Sequence, residues 1–180
     1  MSLEIVLGPM FSGKSTYALS YIRRQRAINK KVVVIKPDID KRYSDENVLI
    51  THDQEKTPCK FWRTQIPFTL IDEMREADCV VFEEAQFFKN LKNVVMYLLR
   101  AYKKNVLIVG LDGDAHQKPF GEILDCIPWA TKITKLCALC KTCNNGTEAP
   151  YTKKIQKDYQ LVDVGGSEKY ESVCLKHLYC

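Results

Sequence analysis

A phosphate-binding motif lies close to the start of the chain. Residues 8–15 read Gly-Pro-Met-Phe-Ser-Gly-Lys-Ser and match the pattern G-x-x-x-x-G-K-[ST]. Glycines let backbone N–H groups approach phosphate oxygens closely, and the N-terminus of the following helix adds its partial positive charge. Lys14 is expected to reach the β- and γ-phosphates, while the Ser15 hydroxyl can ligate Mg²⁺. The motif therefore predicts a site for a nucleoside triphosphate and a divalent cation.

Two adjacent carboxylates, Glu83 and Glu84, follow the apolar run Val80–Phe82. In parallel α/β sheets, ligands bind beyond the C-terminal ends of the strands, which is also where the phosphate loop is expected. One carboxylate can hold Mg²⁺, and the other can accept a proton from an attacking hydroxyl or water. The residue types alone do not decide which glutamate has which role.

A third segment of interest covers residues 110–121 and follows another apolar run. Its glycines suit a tight loop at the same edge of the sheet, and Phe120 offers an aromatic face on which a base could stack. An ordinary loop with a core phenylalanine explains the segment equally well.

Eight cysteines are present, and five of them lie in the last 44 residues. Cys137-x-x-Cys140 and Cys174-x-x-His177 form two short knuckles whose four ligands can complete a tetrahedral zinc site. Because all four positions are then filled by protein, the zinc is expected to be structural. Cys143 could replace one thiolate, as could Cys180 with less support from its spacing, and reduced cysteines without a metal are the alternative.

The elements that must position these groups alternate between strands and helices. The strands are apolar without polar alternation, which is typical of a parallel sheet covered on both faces. We predict an α/β fold, with a P-loop NTPase-like parallel sheet in residues 1–136 and a small C-terminal zinc-binding lobe in residues 137–180. Residues 38–57 are predicted to form a long mobile connection. Strands are predicted at 3–7, 32–35, 79–82, 106–109 and 133–136, and helices at 15–29, 69–77 and 91–102.

Composition restricts the class of protein. The chain has 180 residues, of which 46% are hydrophobic and 27% charged, as expected for one globular domain with a small annex. No apolar run is long enough to span a membrane and no signal peptide is recognisable, so the expected location is the cytoplasm or another compartment reached without secretion. The net charge of +5 is spread along the chain, which argues against a nucleic-acid partner.

Taken together, the motifs resemble the type II thymidine kinase family, the zinc-containing branch, over nearly the whole chain. The resemblance implies transfer of the ATP γ-phosphate to the 5′-hydroxyl of thymidine or deoxyuridine in nucleotide salvage, by a homotetramer that needs Mg²⁺. The segments that carry the resemblance are, in chain order, GPMFSGKS, EEAQFF, GLDGDAHQKPFG and CALC…VGGSEKYESVCLKH.

Residue roles also follow from the resemblance. Glu84 matches the family's general base, and Glu83 stands where the family usually has an aspartate that helps to hold Mg²⁺ with Ser15. The loop between the zinc knuckles, called the lasso in this family, is implied to clamp the pyrimidine mainly through backbone groups. The implied ATP and Mg²⁺ site comprises Gly8, Pro9, Met10, Phe11, Ser12, Gly13, Lys14, Ser15, Thr16, Glu83 and Gln86. The implied nucleoside site comprises Phe87, Leu111, Phe120, Val162, Asp163, Val164, Gly165, Gly166 and Tyr170.

Besides Glu83, the chain departs from the family pattern at two further positions. Ala115 stands where an aromatic residue is usual, which opens one wall of the expected base pocket, and His177 replaces a cysteine that many members have. Two rival functions remain at this point. One is a P-loop ATPase whose zinc lobe binds nucleic acid, and the other is an inactive binding protein that keeps the fold. Nucleoside-dependent turnover distinguishes them from a kinase.

Overall fold

A parallel sheet of six strands forms the centre of the fold. The computed structural model describes residues 1–38, 48–50, 56–62, 68–155 and 165–180. Within these ranges the strands are β1 (Ser2–Leu7), β2 (Val32–Pro37), β3 (Val48–Ile50), β4 (Lys56–Pro58), β5 (Lys60–Trp62), β6 (Cys79–Phe82), β7 (Asn105–Gly110), β8 (Lys132–Lys135), β9 (Ala138–Leu139), β10 (Glu148–Ala149), β11 (Tyr151–Lys154) and β12 (Tyr170–Val173). The helices are α1 (Lys14–Ala27), α2 (Phe68–Glu76), α3 (Leu91–Arg100) and α4 (Leu175–Leu178), and Ala85–Phe87 and Leu124–Trp129 form 3₁₀ turns.

The strand order in the sheet is β5-β2-β6-β7-β1-β8, and every pairing is parallel. β7 therefore lies between β1, which leads into the phosphate loop, and β6, which leads into the two glutamates. Leu7 and Gly110 are in register at the ends of their strands. The predicted functional segments consequently leave the sheet at one edge, side by side.

Helices cover both faces of the sheet. In β1, Ile5 packs into the hydrophobic cluster on one side and Val6 into the cluster on the other. Residues that alternate between two buried faces explain why these strands are apolar throughout. The predicted α/β class is confirmed. The Ile5 side is covered by Leu91, Val95 and Leu98 of α3, and the Val6 side by Ala18, Leu19 and Ile22 of α1.

Within the long connection predicted over residues 38–57, β3 pairs with β4 as antiparallel strands that the sequence did not predict. Residues 39–47 and 51–55 of that stretch lie outside the described part of the chain. β5, at the edge of the sheet beside β2, was not predicted either. Both misses have the same cause, since three-residue strands are too short to show an apolar run.

The C-terminal segment forms a small lobe of antiparallel pairs, β9 with β10 and β11 with β12. A separate hydrophobic cluster of Ala138, Ala149, Val173 and Leu178 lies inside it. The boundary predicted at residue 136 remains a prediction. Among the described residues, no helix combines the length and apolar character that a membrane crossing requires.

Candidate functional site

The phosphate loop connects β1 to α1 and depends on its two glycines. At Gly8, a Cβ atom would lie 2.6 Å from the Leu136 carbonyl oxygen, so a side chain there would collide with backbone. Gly13 has a φ of +81°, a left-handed conformation that side chains disfavour. The helix begins directly after it, at Lys14. The backbone thus has the strand–loop–helix geometry that phosphate binding requires.

Lys14 is almost fully buried, and its Nζ donates a hydrogen bond of 2.6 Å to the Pro9 carbonyl oxygen. The Ser12 hydroxyl donates to the same oxygen at 2.8 Å. The ammonium group is therefore held within the loop. Of the other residues predicted for this site, Met10 and Ser15 are half-buried, while Phe11 and Thr16 are exposed.

One contact of the phosphate loop was not predicted. The Met10 N–H donates a hydrogen bond of 2.9 Å to Oγ1 of Thr152, a buried residue of β11. Because β11 pairs with β12 in the C-terminal lobe, this bond joins the lobe to the phosphate loop. The partners are 142 residues apart, and no local pattern in the sequence marks Thr152.

Ser15 and Glu83 meet beside the loop. The Ser15 hydroxyl donates a hydrogen bond of 2.5 Å to Oε1 of Glu83, whose side chain is buried. Within the described part of the chain, Oε2 of Glu83 has no hydrogen-bond partner. Burial and the neighbouring charge of Glu84 raise the pKa of Glu83 to about 7. A buried carboxylate oxygen without a partner, next to a hydroxyl, fits a site for Mg²⁺, which prefers oxygen ligands.

Glu84 has an unusual backbone conformation, with φ 50° and ψ 44° at the start of the Ala85–Phe87 turn. For a residue other than glycine, this left-handed conformation costs about 1–3 kcal/mol and is often found at functional sites. It directs the two adjacent glutamates into different surroundings. Glu83 is buried beside Ser15, whereas Glu84 is half-buried and accepts a hydrogen bond of 2.7 Å from Nε2 of Gln86.

Two aromatic residues predicted for the nucleoside site lie together. Phe87 and Phe120 are in edge-to-face contact, with ring centroids 5.4 Å apart and planes at 81°. The loop that carries Phe120 is closed by a bridge between Gly113 and Pro119, and the Asp114 carboxylate accepts hydrogen bonds from backbone N–H groups within it. Leu111, the first residue of this loop, is bonded through its N–H to Gln86. The structure thus brings these predicted residues to the same edge as the glutamates.

The lasso is described at both of its ends, over residues 141–155 and 165–173. Gly166 accepts hydrogen bonds of 3.1 Å from the N–H groups of Lys169 and Tyr170, which form a turn before β12. Gly165 and Tyr170 are buried. Val162, Asp163 and Val164 lie outside the described residues, so their predicted contacts with the base remain predictions.

A cluster of three cysteines and one histidine lies in the C-terminal lobe, and its ligand atoms are all within 4.8 Å of one another. It differs from the predicted set by one residue. Cys137 is exposed and does not belong to the cluster, and Cys143 takes its place. Cys140 and Cys143 are joined by a turn in which the Asn144 N–H bonds to the Cys140 carbonyl, whereas β9 separates Cys137 from that turn. The members of the cluster are Cys140, Cys143, Cys174 and His177.

The distances within the cluster fit a zinc ion. A tetrahedral site with Zn–S of about 2.3 Å and Zn–N of about 2.0 Å has S–S edges of about 3.8 Å and S–N edges of about 3.5 Å. The Sγ atoms of Cys143 and Cys174 are 3.8 Å apart, and Nδ1 of His177 lies 3.4 Å from each of them. Nδ1 is also 3.6 Å from Sγ of Cys140. Four of the six donor–donor distances therefore match the edges of a tetrahedral zinc site.

The electrostatics of the cluster favour a cation as well. Burial opposes ionisation of Cys140, but the backbone N–H groups of Cys143 and Cys174 and the ring of His177 lower the pKa of its thiol to about 6. By contrast, burial and the two neighbouring thiols raise the pKa of Cys143. A bound divalent cation would stabilise the thiolate form of every ligand.

Serine substitution distinguishes the ligand Cys143 from the exposed Cys137. Structural zinc sites bind with about 10–16 kcal/mol, so losing one of four ligands is expected to cost roughly 3 kcal/mol, or about 100-fold in zinc affinity. Cys143→Ser should lose most of its zinc during purification without chelator and unfold at a lower temperature. The matched Cys137→Ser variant should keep one zinc per chain by elemental analysis. Equal zinc loss in both variants would contradict the ligand set.

Comparisons with known proteins agree on one family. A family model described as thymidine kinase matches residues 1–178. The thymidine kinase of Choristoneura fumiferana entomopoxvirus is 36% identical over 177 residues, covering 97% of this chain and 94% of the viral protein. Thymidine kinase a of Arabidopsis thaliana is 35% identical over 179 residues, covering 98% and 74%. The human protein named thymidine kinase, cytosolic, is 36% identical over 176 residues, covering 96% and 70%.

Proposed function

The chain belongs to the thymidine kinase family, and from that premise we propose that it transfers the γ-phosphate of ATP to the 5′-hydroxyl of thymidine. One observation supports this proposal above the others. Three neighbouring strands, β1, β7 and β6, lead at their C-terminal ends into the segments that form the site. These segments carry the phosphate loop, the Ser15–Glu83 pair, Glu84 and the Phe87–Phe120 pair. A phosphate donor and an aromatic base can therefore bind side by side, with a carboxylate near both.

The roles proposed for the residues follow from their surroundings. The loop amides and Lys14 hold the triphosphate, because they combine close backbone donors with a buried positive charge. Ser15 and Glu83 would hold Mg²⁺, which neutralises charge on the β- and γ-phosphates when bound. Glu84 accepts the proton of the 5′-hydroxyl as that oxygen attacks the γ-phosphorus.

The nucleoside is proposed to bind on the other side of Glu84. Phe87 and Phe120 present aromatic surface for the pyrimidine, and the lasso covers it from the C-terminal lobe. Thr152 of β11 accepts a hydrogen bond from the phosphate loop. β11 pairs with β12, the strand that begins at Tyr170. A covered site would exclude water, which limits wasteful hydrolysis of ATP.

Three further properties are proposed from the family. The cysteine–histidine cluster binds a structural zinc that anchors both ends of the lasso, a proposal that the ligand spacing supports. The chain acts as a homotetramer. It also acts in the cytoplasm, a location that the name of the human relative gives for that protein.

An assay of ADP formation tests the proposed function against its rivals. Turnover with ATP and Mg²⁺ is expected when thymidine or deoxyuridine is added and not without a nucleoside, at a rate of about 1–100 s⁻¹, with one nucleoside 5′-monophosphate formed per ADP. Parallel reactions contain DNA, deoxyuridine, deoxycytidine or no acceptor. Stimulation by DNA alone would favour an ATPase that acts on nucleic acid. ATP binding without turnover under any condition would favour an inactive binding protein.

A further inference from the structure

Gln86 makes hydrogen bonds to two separate parts of the site. Its side chain is buried, with 3% of its surface exposed. Nε2 donates to Oε2 of Glu84 at 2.7 Å, and Oε1 accepts from the N–H of Leu111 at 3.0 Å. The first bond orients the proposed base, and the second holds the start of the loop that carries Phe120.

Two glycines make room for Gln86. A Cβ atom at Gly110 would lie 2.4 Å from Oε1 of Gln86, and a Cβ atom at Gly121 would lie 2.3 Å from the Gln86 carbonyl oxygen. Gly121 also has a φ of +66°. These glycines are the first and last residues of the 110–121 segment, so the ends of the loop are packed against Gln86. Its amide is consequently confined to one position.

We propose that Gln86 is a positioning residue that fixes the Glu84 carboxylate relative to the nucleoside-binding loop. This inference rests on the proposed function, in which Glu84 receives the proton of the 5′-hydroxyl. Glu84 lies at a left-handed position at the start of a 3₁₀ turn, and the bond from Gln86 restricts the rotation of its side chain there. The same amide also bonds to Leu111, so the Glu84 carboxylate keeps a constant distance from the loop that lines the pyrimidine pocket. The amide of Gln86 therefore acts through Glu84 on the chemical step.

Two substitutions separate the two bonds. Gln86→Glu keeps an oxygen that accepts from Leu111 but removes the donor to Glu84 and places a second carboxylate beside it. Gln86→Met removes both bonds at similar volume. We expect kcat with thymidine to fall about 10- to 100-fold in both variants, the range for loss of a hydrogen bond to a charged group. The resemblance implies Gln86 in the ATP site, but its side-chain bonds go to Glu84 and Leu111. The KM for ATP and the zinc content should therefore stay within about twofold of the wild-type values.

A matched control uses Gln117, a glutamine of the 110–121 segment. Within the described part of the chain, the side chain of Gln117 donates a hydrogen bond of 3.0 Å from Nε2 to the Ala115 carbonyl. Gln117→Glu should keep kcat near that of the wild type, because this bond closes the loop on itself. If kcat fell as much in Gln117→Glu as in Gln86→Glu, the cause would be an added negative charge near the site rather than the lost hydrogen bond of Gln86. That result would overturn the proposal.

A double-mutant cycle with Glu84 gives the sharpest test. If Gln86 acts through Glu84, Gln86→Met should lower kcat by less than about twofold in a Glu84→Gln background, against the 10- to 100-fold loss in the wild type. Additive losses would overturn the proposal, as would an increase in the KM for ATP at unchanged kcat. Loss of folding in both Gln86 variants would assign a structural role instead. An inactive wild-type chain would overturn the proposed function, whereas normal turnover of both variants would overturn this inference alone.

Discussion

The Glu84→Gln substitution is expected to lower kcat for thymidine phosphorylation by about 10²- to 10⁴-fold, the usual contribution of a general base. A neutral amide cannot take the proton of the attacking hydroxyl. The replacement has the same shape, and its carbonyl oxygen can still accept the hydrogen bond that Gln86 donates to Glu84. The KM for ATP should therefore change by less than about threefold. Single-turnover measurements with radiolabelled ATP would quantify the loss.

Two control substitutions define what this result means. Glu148→Gln removes a carboxylate from an exposed position of β10 and should leave kcat unchanged. Glu83→Gln should instead raise the Mg²⁺ concentration needed for half-maximal rate, because Glu83 is the buried carboxylate that meets Ser15. Turnover of Glu84→Gln close to that of the wild type would contradict the assignment of the base. A purely Mg²⁺-dependent defect in that variant would exchange the roles of the two glutamates.

The Lys14→Ala substitution is expected to reduce kcat/KM for ATP by about 10³-fold or more while the fold is retained. Lys14 is the buried cation of the phosphate loop, and removal of a fixed charge from a transferring phosphoryl group has effects of this size. Its Nζ donates a hydrogen bond to the Pro9 carbonyl, a contact within the loop itself. The measurements are ADP formation with thymidine and calorimetric titration with ATP.

A matched lysine variant and a structural readout accompany this test. Lys30→Ala removes a cation from an exposed pair with Asp78 at 3.5 Å and should leave turnover unchanged. Zinc content and the unfolding temperature of Lys14→Ala should remain close to those of the wild type, since the cluster lies in the other lobe. Full turnover by Lys14→Ala would refute the phosphate-loop assignment.

The architecture could be predicted wherever a local pattern is long enough to be read. Buried parallel strands such as β6 and β7 consist of continuous apolar residues, because both of their faces are covered. The phosphate loop could be predicted equally well, since its residues are consecutive and its glycines are required by local backbone geometry. The short strands β3, β4 and β5 were missed because they have too few residues to show a period.

The zinc ligands show where local patterns stop being decisive. The segment from Cys137 to Cys143 contains two overlapping knuckles of identical spacing, and both satisfy the same rule. The path of the chain selects the second knuckle, because β9 pairs with β10 and leaves Cys137 exposed before the turn. Spacing can thus identify a candidate metal site without identifying all its ligands.

The sequence by itself determined the chemistry available to this protein: a loop for phosphate, a pair of carboxylates, aromatic residues for a base and soft ligands for zinc. Each of these depends on neighbours a few residues apart, so a linear pattern can reveal them. The tertiary structure alone decided how they are combined. Gln86 reaches Leu111 across 25 residues and Thr152 reaches Met10 across 142, because strands that are distant in the chain end at one edge of the sheet. Contacts of that kind have no period and no spacing rule, and only the folded backbone creates them.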